Sequence, residues 1–187
     1  MNTEIDTAIQ VLKNGGIILY PTDTVWGIGC DATNEKAVAK VFELKKRTDS
    51  KSLITLVSDA DMLCKYVKEI PEIALSLIEV NDQPMTIIYP GAIGLAANVI
   101  AEDGSVGIRI PVNEFCSKLI YKFRRPIVST SANFSGEKTP AYYKDISMDI
   151  INAVDWVADP HLEDISTGRP SQIIKVSLSG EIKIIRE

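Results

Sequence analysis

Residues 16–32, GIILYPTDTVWGIGCDA, combine a short apolar run with an abrupt change to small and polar residues. The run 17–20 is apolar throughout, which is typical of a strand buried on both faces. The proline, threonines and aspartate that follow it, with the glycines at 27 and 29, would suit a tight turn. Hydroxyls and glycines at the end of a buried strand also suit the floor of a binding pocket. We interpret this stretch as a strand that ends at a pocket.

The composition is that of an ordinary globular protein. The chain has 187 residues, of which 45% are hydrophobic and 24% charged, and its formal net charge is -5. This length suits one domain, which we place over residues 1–187. The N-terminal residues lack a signal-peptide pattern, and no apolar run approaches the ~20 residues that cross a bilayer. We therefore expect a cytoplasmic protein with no membrane partner and no overall basic character.

Apolar runs with strand and helix periodicities alternate along the whole chain. This alternation, with the hairpin signal Ser179-Gly180, predicts an α/β protein with a mixed sheet in a single domain. The predicted strands are 16–20, 52–58, 85–89, 105–111, 126–132, 155–159, 172–178 and 181–187. The predicted helices are 5–14, 34–47, 59–70, 71–80, 114–123 and 144–154.

Several common kinds of site have no sequence support. Cys30, Cys64 and Cys116 are far apart and form no CxxC pair, and the single histidine, His161, has no partner motif. These patterns argue against a disulfide framework, a structural metal site and a Cys-His or Ser-His-Asp centre. The chain also lacks GxxxxGK[ST] and a GxGxxG after a strand. A nucleotide would therefore have to bind without the two commonest fingerprints.

A basic segment follows the second predicted helix. Residues 43–52, ELKKRTDSKS, place Lys45, Lys46, Arg47 and Lys51 within seven positions. Cations at a helix C-terminus complement the helix dipole, and basic runs are usually solvated. The alternative is an anion site, because the loop must return to a buried strand and ligands collect at such sheet edges. The segment alone leaves both interpretations open.

Other apolar strands carry polar side chains at one end or within. Ser129, Ser131 and Asn133 could bind phosphate or carboxylate oxygens, although the same residues form polar turns. Arg109 lies inside an apolar strand and suits a carboxylate ligand, unless it faces solvent. Ser171 precedes another strand, where a loop serine is the simple alternative. Together these residues predict one polar, cationic pocket for a ligand with a phosphate and a carboxylate.

Six ordered segments resemble the YrdC family, from about residue 15 to the C-terminus: PTDTVWGIGCDA, KKRTDSK, PMTIIYPG, SVGIRIP, STSANFSG and PSQIIKV. The resemblance implies a twisted open mixed sheet, flanked by helices, with a cationic concave face. It implies an L-threonylcarbamoyladenylate synthase that joins L-threonine, bicarbonate and ATP, with Mg²⁺, and releases pyrophosphate. The product would pass to a tRNA threonylcarbamoyltransferase complex that modifies adenosine 37. It also names tRNA or double-stranded RNA as candidate partners.

The resemblance also implies roles for individual residues. The implied catalytic residues are Lys45 and Arg47, which would hold the ATP phosphates. The implied nucleotide-binding positions are Lys45, Arg47, Lys51, Ser105, Ser131, Asn133, Thr139 and Arg186. The implied threonine-binding positions are Thr22, Thr24, Arg109, Ser129 and Ser171. No metal-ligating side chain is implied, and Trp26 stands where the family commonly has Tyr or Phe.

A second class of function remains open at this point. A YciO-like member would be a non-catalytic protein that binds a nucleotide or double-stranded RNA. Its basic loop would contact a phosphate backbone, and binding would weaken steeply with salt. Threonine-dependent release of pyrophosphate distinguishes the synthase from this alternative.

Overall fold

The computed structural model describes residues 1–46, 53–163 and 166–187. Within them the strands are β1 (Ile18–Tyr20), β2 (Gly27–Gly29), β3 (Ile54–Leu56), β4 (Met85–Tyr89), β5 (Val106–Arg109), β6 (Ile127–Ser131), β7 (Trp156–Val157), β8 (Gln172–Val176) and β9 (Ile182–Arg186). The helices are α1 (Asn2–Lys13), α2 (Glu35–Lys45), α3 (Ala60–Leu63), α4 (Glu72–Val80), α5 (Glu114–Phe123) and α6 (Met148–Ala153). Short 3-10 helices cover Tyr143–Asp145 and Pro160–Leu162.

The strands form a single mixed sheet in the order β7-β1-β2-β6-β3-β5-β4-β8-β9. The pairs β1/β7, β3/β5 and β4/β8 are parallel, and the remaining neighbours are antiparallel. β7 and β9 are the two edges, so the sheet is open. The predicted α/β class with an open mixed sheet and flanking helices is confirmed, as is the β8/β9 hairpin at Ser179-Gly180.

Helices with one apolar stripe cover the core. In α1 the buried residues are Ile5, Ala8, Ile9 and Leu12, the spacing of a single helix face. α1 packs on α5 and on β1. Burying one such leucine contributes about 1.5–3 kcal/mol to the free energy of folding. In the part of the chain that the structure describes, no helix is both long and apolar enough to span a membrane.

Strand β2 was not predicted, because a three-residue strand with two glycines has the composition of a turn. It pairs with β1 on one side and β6 on the other. A Cβ on Gly29 would lie 2.4 Å from the carbonyl oxygen of Val128 and 2.8 Å from the Tyr20 ring. Glycine is therefore required for the close approach of these backbones, and the pocket-floor stretch is itself part of the sheet.

The helix predicted over 59–70 is wrong in its second half. Only α3 is helical there, and the chain then leaves the helix to meet a distant loop. Val67 forms an antiparallel bridge with Ala92, and the Lys68 amide donates to the Gly91 carbonyl at 2.9 Å. These tertiary hydrogen bonds override a helical periodicity that local sequence alone supports.

The helix predicted over 144–154 is divided by a serine cap. The chain forms the 3-10 turn Tyr143–Asp145 first, and α6 then starts anew at Met148. The Ser147 hydroxyl accepts a hydrogen bond from the Asp149 amide at 3.2 Å, as an N-cap side chain does. The capping hydrogen bond therefore starts a new helix at Met148, although the apolar periodicity predicts one continuous helix over 144–154.

Helix α2 positions the basic segment. Asn34 caps its N-terminus as predicted, accepting from the amides of Lys36 and Ala37. The helix ends at Lys45, and Lys46 takes a left-handed conformation with φ 52°. Arg47 and Lys51, two predicted nucleotide-binding residues, lie outside the described residues.

Arg124 ends α5 in a left-handed conformation, with φ 60° and ψ 22°. Glycine adopts this conformation without the steric cost that a Cβ imposes. We expect Arg124→Gly to raise the free energy of unfolding by about 1 kcal/mol, measured by urea denaturation. Arg124→Ala keeps the Cβ and should stay within about 0.5 kcal/mol of the parent protein. Equal stability of the two variants would contradict the prediction.

Candidate active site

Two adjoining cavities open on one face of the sheet. Their volumes are about 270 Å³ and about 700 Å³, and they share Ile54 and Arg186. The first is lined by Thr24, Val25, Trp26, Gly27, Ile54, Arg109, Ser129, Thr130, Ser131, Thr139, Pro170, Ser171 and Arg186. The second is wider and presents isoleucines of β3, β4, β8 and β9. The predicted polar residues of the loop between β1 and β2, of β5 and of β6 therefore meet in the first cavity.

The loop between β1 and β2 is organised by its two threonines. The Thr22 hydroxyl donates to the Val25 carbonyl at 2.7 Å, accepts from the Thr24 amide at 3.1 Å and lies 2.9 Å from the Thr24 hydroxyl. Thr22 thus closes the turn and is not among the lining residues, whereas Thr24 lines the cavity. A Cβ on Gly27 would lie 2.9 Å from Ser129 Oγ, so the glycine leaves room beside that hydroxyl.

Arg109 lies at the bottom of the first cavity and is buried. Its Nη1 donates to Thr24 Oγ1 at 2.9 Å, and its Nη2 forms an ion pair with Asp23 Oδ1 at 3.4 Å. The two side chains are 3% and 1% exposed. Among the described residues, Arg109 Nε has no hydrogen-bond partner. A buried guanidinium with an unused donor beside a cavity is suited to an anionic ligand.

Asp23 is a residue of the site that the sequence analysis does not identify. Its carboxylate is buried, pairs with Arg109 and also accepts a hydrogen bond from the Val112 amide at 3.3 Å. The signal in the sequence is that a buried arginine needs an opposite charge close to it. Asp23 lies within the stretch 16–32 that predicts the pocket, so it is the first candidate for the partner of Arg109.

Lys45 joins the end of α2 to the end of β6. It is 2% exposed, and its ammonium donates to the Ser131 carbonyl at 2.6 Å and to Asn133 Oδ1 at 3.2 Å. The Ser131 hydroxyl donates to the same Asn133 oxygen at 2.5 Å. Asn133 in turn donates to the carbonyls of Phe134 and Glu137. The structure thus brings together three predicted nucleotide-binding residues, and the solvated interpretation fails for Lys45.

Three further predicted ligand residues come from the C-terminal third of the chain. Thr139, Ser171 and Arg186 all line the first cavity. Arg186 donates through Nε and Nη2 to the Ser171 carbonyl, at 3.0 and 2.7 Å. Burial, and the charge of Arg109 nearby, lower the pKa of Arg186. The Ser171 hydroxyl lies 2.8 Å from that of Thr86, which fixes the start of β8 against β4.

Ser105 lies apart from the other predicted residues, in the second cavity. Its hydroxyl donates to Asp103 Oδ1 at 2.5 Å, and Lys175 donates to Asp103 Oδ2 at 2.6 Å. The hydrogen bonds from Lys175 and Ser105 hold the pKa of Asp103 well below its usual range. Because this cavity contains a carboxylate, and because Arg47 and Lys51 are outside the described residues, the cationic character of the face stays a prediction.

The three cysteines and the single histidine are not among the residues that line either cavity. Burial raises the pKa of the Cys30 and Cys116 thiols, which keeps them protonated. The His161 side chain is 92% exposed and pairs with Asp159. Within residues 1–46, 53–163 and 166–187 no cluster of three His, Cys, Asp or Glu could hold a metal ion. The first cavity offers hydroxyls and two guanidinium groups, which bind and orient anions.

Comparison with known proteins places these features in one family. The model of the Sua5_yciO_yrdC family, described as "Telomere recombination", matches residues 10–187. The chain belongs to the Sua5/YciO/YrdC family. The resemblance of the six motifs to this family is thereby confirmed.

Relatives in the Sua5/YciO/YrdC family are similar over most of the chain. A threonylcarbamoyl-AMP synthase of Stenotrophomonas maltophilia is 29% identical, with 95% of this chain and 96% of the relative covered. One of Idiomarina loihiensis is 32% identical, with 90% and 91% covered. The crystal structure of P. abyssi Sua5 complexed with L-threonine is 29% identical with a TM-score of 0.84, covering 92% of this chain. This chain spans 50% of that longer protein.

Proposed function

We propose that this protein is an L-threonylcarbamoyladenylate synthase, which converts L-threonine, bicarbonate and ATP into threonylcarbamoyl-AMP and pyrophosphate. The observation that carries the proposal is the first cavity, where Arg109, Thr24 and Ser129 converge in a member of the Sua5/YciO/YrdC family. The relatives named above carry this activity in their names. One catalytic domain over residues 1–187 and a cytoplasmic location belong to the same proposal.

L-Threonine would occupy the bottom of the first cavity. Arg109 lines this cavity and is buried beside it, and a guanidinium binds a carboxylate well. The hydroxyls of Thr24 and Ser129 lie in the same cavity and could bind the amine or its carbamate. Thr22 would not contact the threonine but would hold the turn that carries Thr24, through its hydrogen bonds to Val25 and Thr24. A neighbour, P. abyssi Sua5, has been crystallised with L-threonine, which supports this choice of amino acid.

ATP would lie across the boundary between the two cavities. Its phosphates would approach Ser131, Asn133 and Lys45 at the end of β6, where Arg47 and Lys51 follow in the sequence. Thr139 and Arg186, which line the first cavity, would also contact ATP, and Ser171 beside them would contact the threonine. The apolar second cavity, with Ser105 at its wall, has the size and lining of a site for a nucleoside.

The chemistry requires charge stabilisation more than a protein nucleophile. Bicarbonate and the threonine amine condense to N-carboxythreonine with loss of water. Its carboxylate then attacks the α-phosphorus of ATP, the bond from that phosphorus to the bridging oxygen breaks, and pyrophosphate leaves. Because this nucleophile is already an anion, the protein needs to align it and to stabilise charge on the phosphates. Lys45, with Arg47 as its predicted neighbour, would supply that charge.

Mg²⁺ would enter with ATP as part of the substrate. The residues that line the first cavity include hydroxyls and two arginines but no carboxylate, so they do not form a resident magnesium site. Mg²⁺ commonly keeps several waters and binds through substrate phosphates. The product would then serve a tRNA threonylcarbamoyltransferase complex. Direct contact with tRNA or double-stranded RNA belongs to the same proposal.

Pyrophosphate release tests the proposal. We expect the purified protein, given ATP, Mg²⁺ and bicarbonate, to release pyrophosphate only when L-threonine is added. Mass spectrometry should then detect threonylcarbamoyl-AMP. Omission of bicarbonate is the matched control, because an enzyme that activates threonine directly would still release pyrophosphate. Bicarbonate-independent release, or no release, would contradict the synthase function.

The YciO-like alternative predicts a different result. Such a protein would bind ATP or double-stranded RNA without threonine-dependent turnover, and the RNA binding would weaken steeply with salt. The named relatives that are 29–32% identical over most of the chain are synthases, which favours the catalytic function.

A further inference from the structure

One carboxylate, that of Glu163, joins three segments that wall the first cavity. Glu163 Oε2 accepts a hydrogen bond from the indole Nε1 of Trp26, in the loop before β2. The same oxygen accepts from the backbone amide of Tyr143 at 2.7 Å. The Trp26 and Tyr143 rings pack with their centroids 4.9 Å apart. Glu163 therefore holds Trp26 and Tyr143, which come from two distant parts of the chain, next to its own part of the chain.

Each of the three segments contributes lining residues to the cavity. Trp26 itself lines it, Thr139 lies four residues before Tyr143, and Pro170 and Ser171 follow Glu163 along the chain. The shared acceptor therefore bonds to Trp26, which lines the cavity, and to Tyr143, which follows the lining residue Thr139.

Residues 166–168, which follow Glu163 in the sequence, form further hydrogen bonds to the loop between β1 and β2. The Ser166 hydroxyl donates to the Thr24 carbonyl at 2.6 Å, and the Gly168 amide donates to the same carbonyl at 2.9 Å. The Thr167 amide donates to the Asp23 carbonyl at 3.1 Å. The side chains of Thr24 and Asp23 both contact Arg109. A shift of residues 166–168 would therefore displace the groups proposed to bind the threonine carboxylate.

We propose that Glu163 is a positioning residue for the amino-acid end of the cavity. It acts through Trp26 and Tyr143 and touches no substrate. The inference rests on the proposed function, since it assigns Glu163 to the affinity of that same site for L-threonine. Side chains that fix the residues in contact with a ligand commonly decide how well a site is formed.

Both hydrogen bonds end on one oxygen, which gives a sharp test. A glutamine has one carbonyl oxygen that can accept both donors, and it lacks the negative charge. The two hydrogen bonds that Glu163 accepts from Trp26 and Tyr143 are called the clamp below. Glu163→Gln should therefore keep the clamp, whereas Glu163→Ala should remove it. We expect Glu163→Ala to raise KM for L-threonine about 10-fold, the cost of one to two lost hydrogen bonds. Glu163→Gln should stay within about 3-fold of the parent protein.

The measurement is initial-rate pyrophosphate release against L-threonine concentration, at saturating ATP and bicarbonate. Thermal melts establish that each variant is folded. Trp26→Phe removes the indole N–H but keeps an aromatic ring, and serves if Glu163→Ala does not fold. In the Trp26→Phe background, Glu163→Ala should cause a smaller further increase in KM, because one of the two bonds is already gone. An unchanged KM in Glu163→Ala, or equal defects in the alanine and glutamine variants, would overturn the inference.

A second readout does not depend on activity. The chain has two tryptophans, and Trp156 lies in β7 against Phe115. In a Trp156→Phe background, Trp26 is the sole indole fluorophore, and its quenching by acrylamide reports its mobility and access. Quenching should rise with Glu163→Ala and stay unchanged with Glu163→Gln. If the parent protein releases no pyrophosphate but quenching follows this pattern, the clamp holds and the proposed function fails. Unchanged quenching in both variants would contradict the clamp itself.

Discussion

Lys45→Met should lower the threonine-dependent kcat about 100-fold or more, the largest effect on turnover that we expect from one side chain. The ammonium is buried and donates to the Ser131 carbonyl and Asn133 Oδ1. In the proposed mechanism this cation stabilises charge on the ATP phosphates and orients the end of β6. Methionine keeps most of the length of the side chain and removes the charge.

The adjacent lysine provides the matched control. Lys46 is exposed, whereas Lys45 is buried, and the Lys46 ammonium lies over the Phe134 ring, 4.6 Å from the centroid. Lys46→Met should keep kcat within about 3-fold of the parent protein, as a surface substitution does. Loss of the hydrogen bonds that the charged Lys45 ammonium donates should cost about 1.5–3 kcal/mol of stability. The Ser131 carbonyl keeps the Asn133 amide as a donor, and Asn133 Oδ1 keeps the Ser131 hydroxyl. Rates are therefore compared below the melting temperature of each variant, and full activity of Lys45→Met would remove this residue from the mechanism.

Arg109→Met should destabilise the fold by about 3–5 kcal/mol, because it leaves the Asp23 carboxylate buried without its cation. The ion pair is almost completely shielded from solvent, so screening by water does not reduce this cost. For a chain of this length the loss corresponds to a fall of about 10 °C in Tm. The same change should abolish saturable binding of L-threonine, since it removes the proposed partner of the carboxylate.

A double variant separates the two effects of Arg109. Asp23→Asn combined with Arg109→Met removes both charges of the buried pair, so part of the lost stability should return. Threonine-dependent turnover should not return, because the guanidinium is still missing. Thermal melts and pyrophosphate release on the two single variants and the double variant complete the cycle. Recovery of activity in the double variant would show that Arg109 acts only by neutralising Asp23.

The sequence supported the class of fold and the location of the site. Alternating periodicities predicted a mixed α/β sheet, and α5 begins and ends as predicted, at residues 114 and 123. The polar residues at strand ends predicted one pocket, and Ser129, Ser131 and Arg109 do line one cavity. These predictions succeed because each depends on local spacing and on the rule that strand ends share a sheet edge.

Other features could not be derived from spacing. Strand β2 exists because two glycines let the backbones of β1, β2 and β6 approach closely, and a turn has the same local composition. Helix α3 stops early because the following residues bond to a loop that begins more than twenty residues further along the chain. Only the tertiary structure identifies Asp23 as the partner of Arg109, because the two residues are 86 positions apart in the sequence and meet only in the folded chain.

The sequence by itself determined which chemical groups are present and which strands carry them: hydroxyls after β1, an arginine inside β5 and a Ser-Asn pair at the end of β6. The tertiary structure decided how those groups pair, which of them face the cavity and which support others. Thr22 closes a turn, Lys45 holds a strand end, and Glu163 joins three walls. The reason is physical: periodicity is a property of neighbouring residues, whereas the hydrogen bonds and ion pairs of buried polar groups are made across the sheet, between residues up to about 140 positions apart.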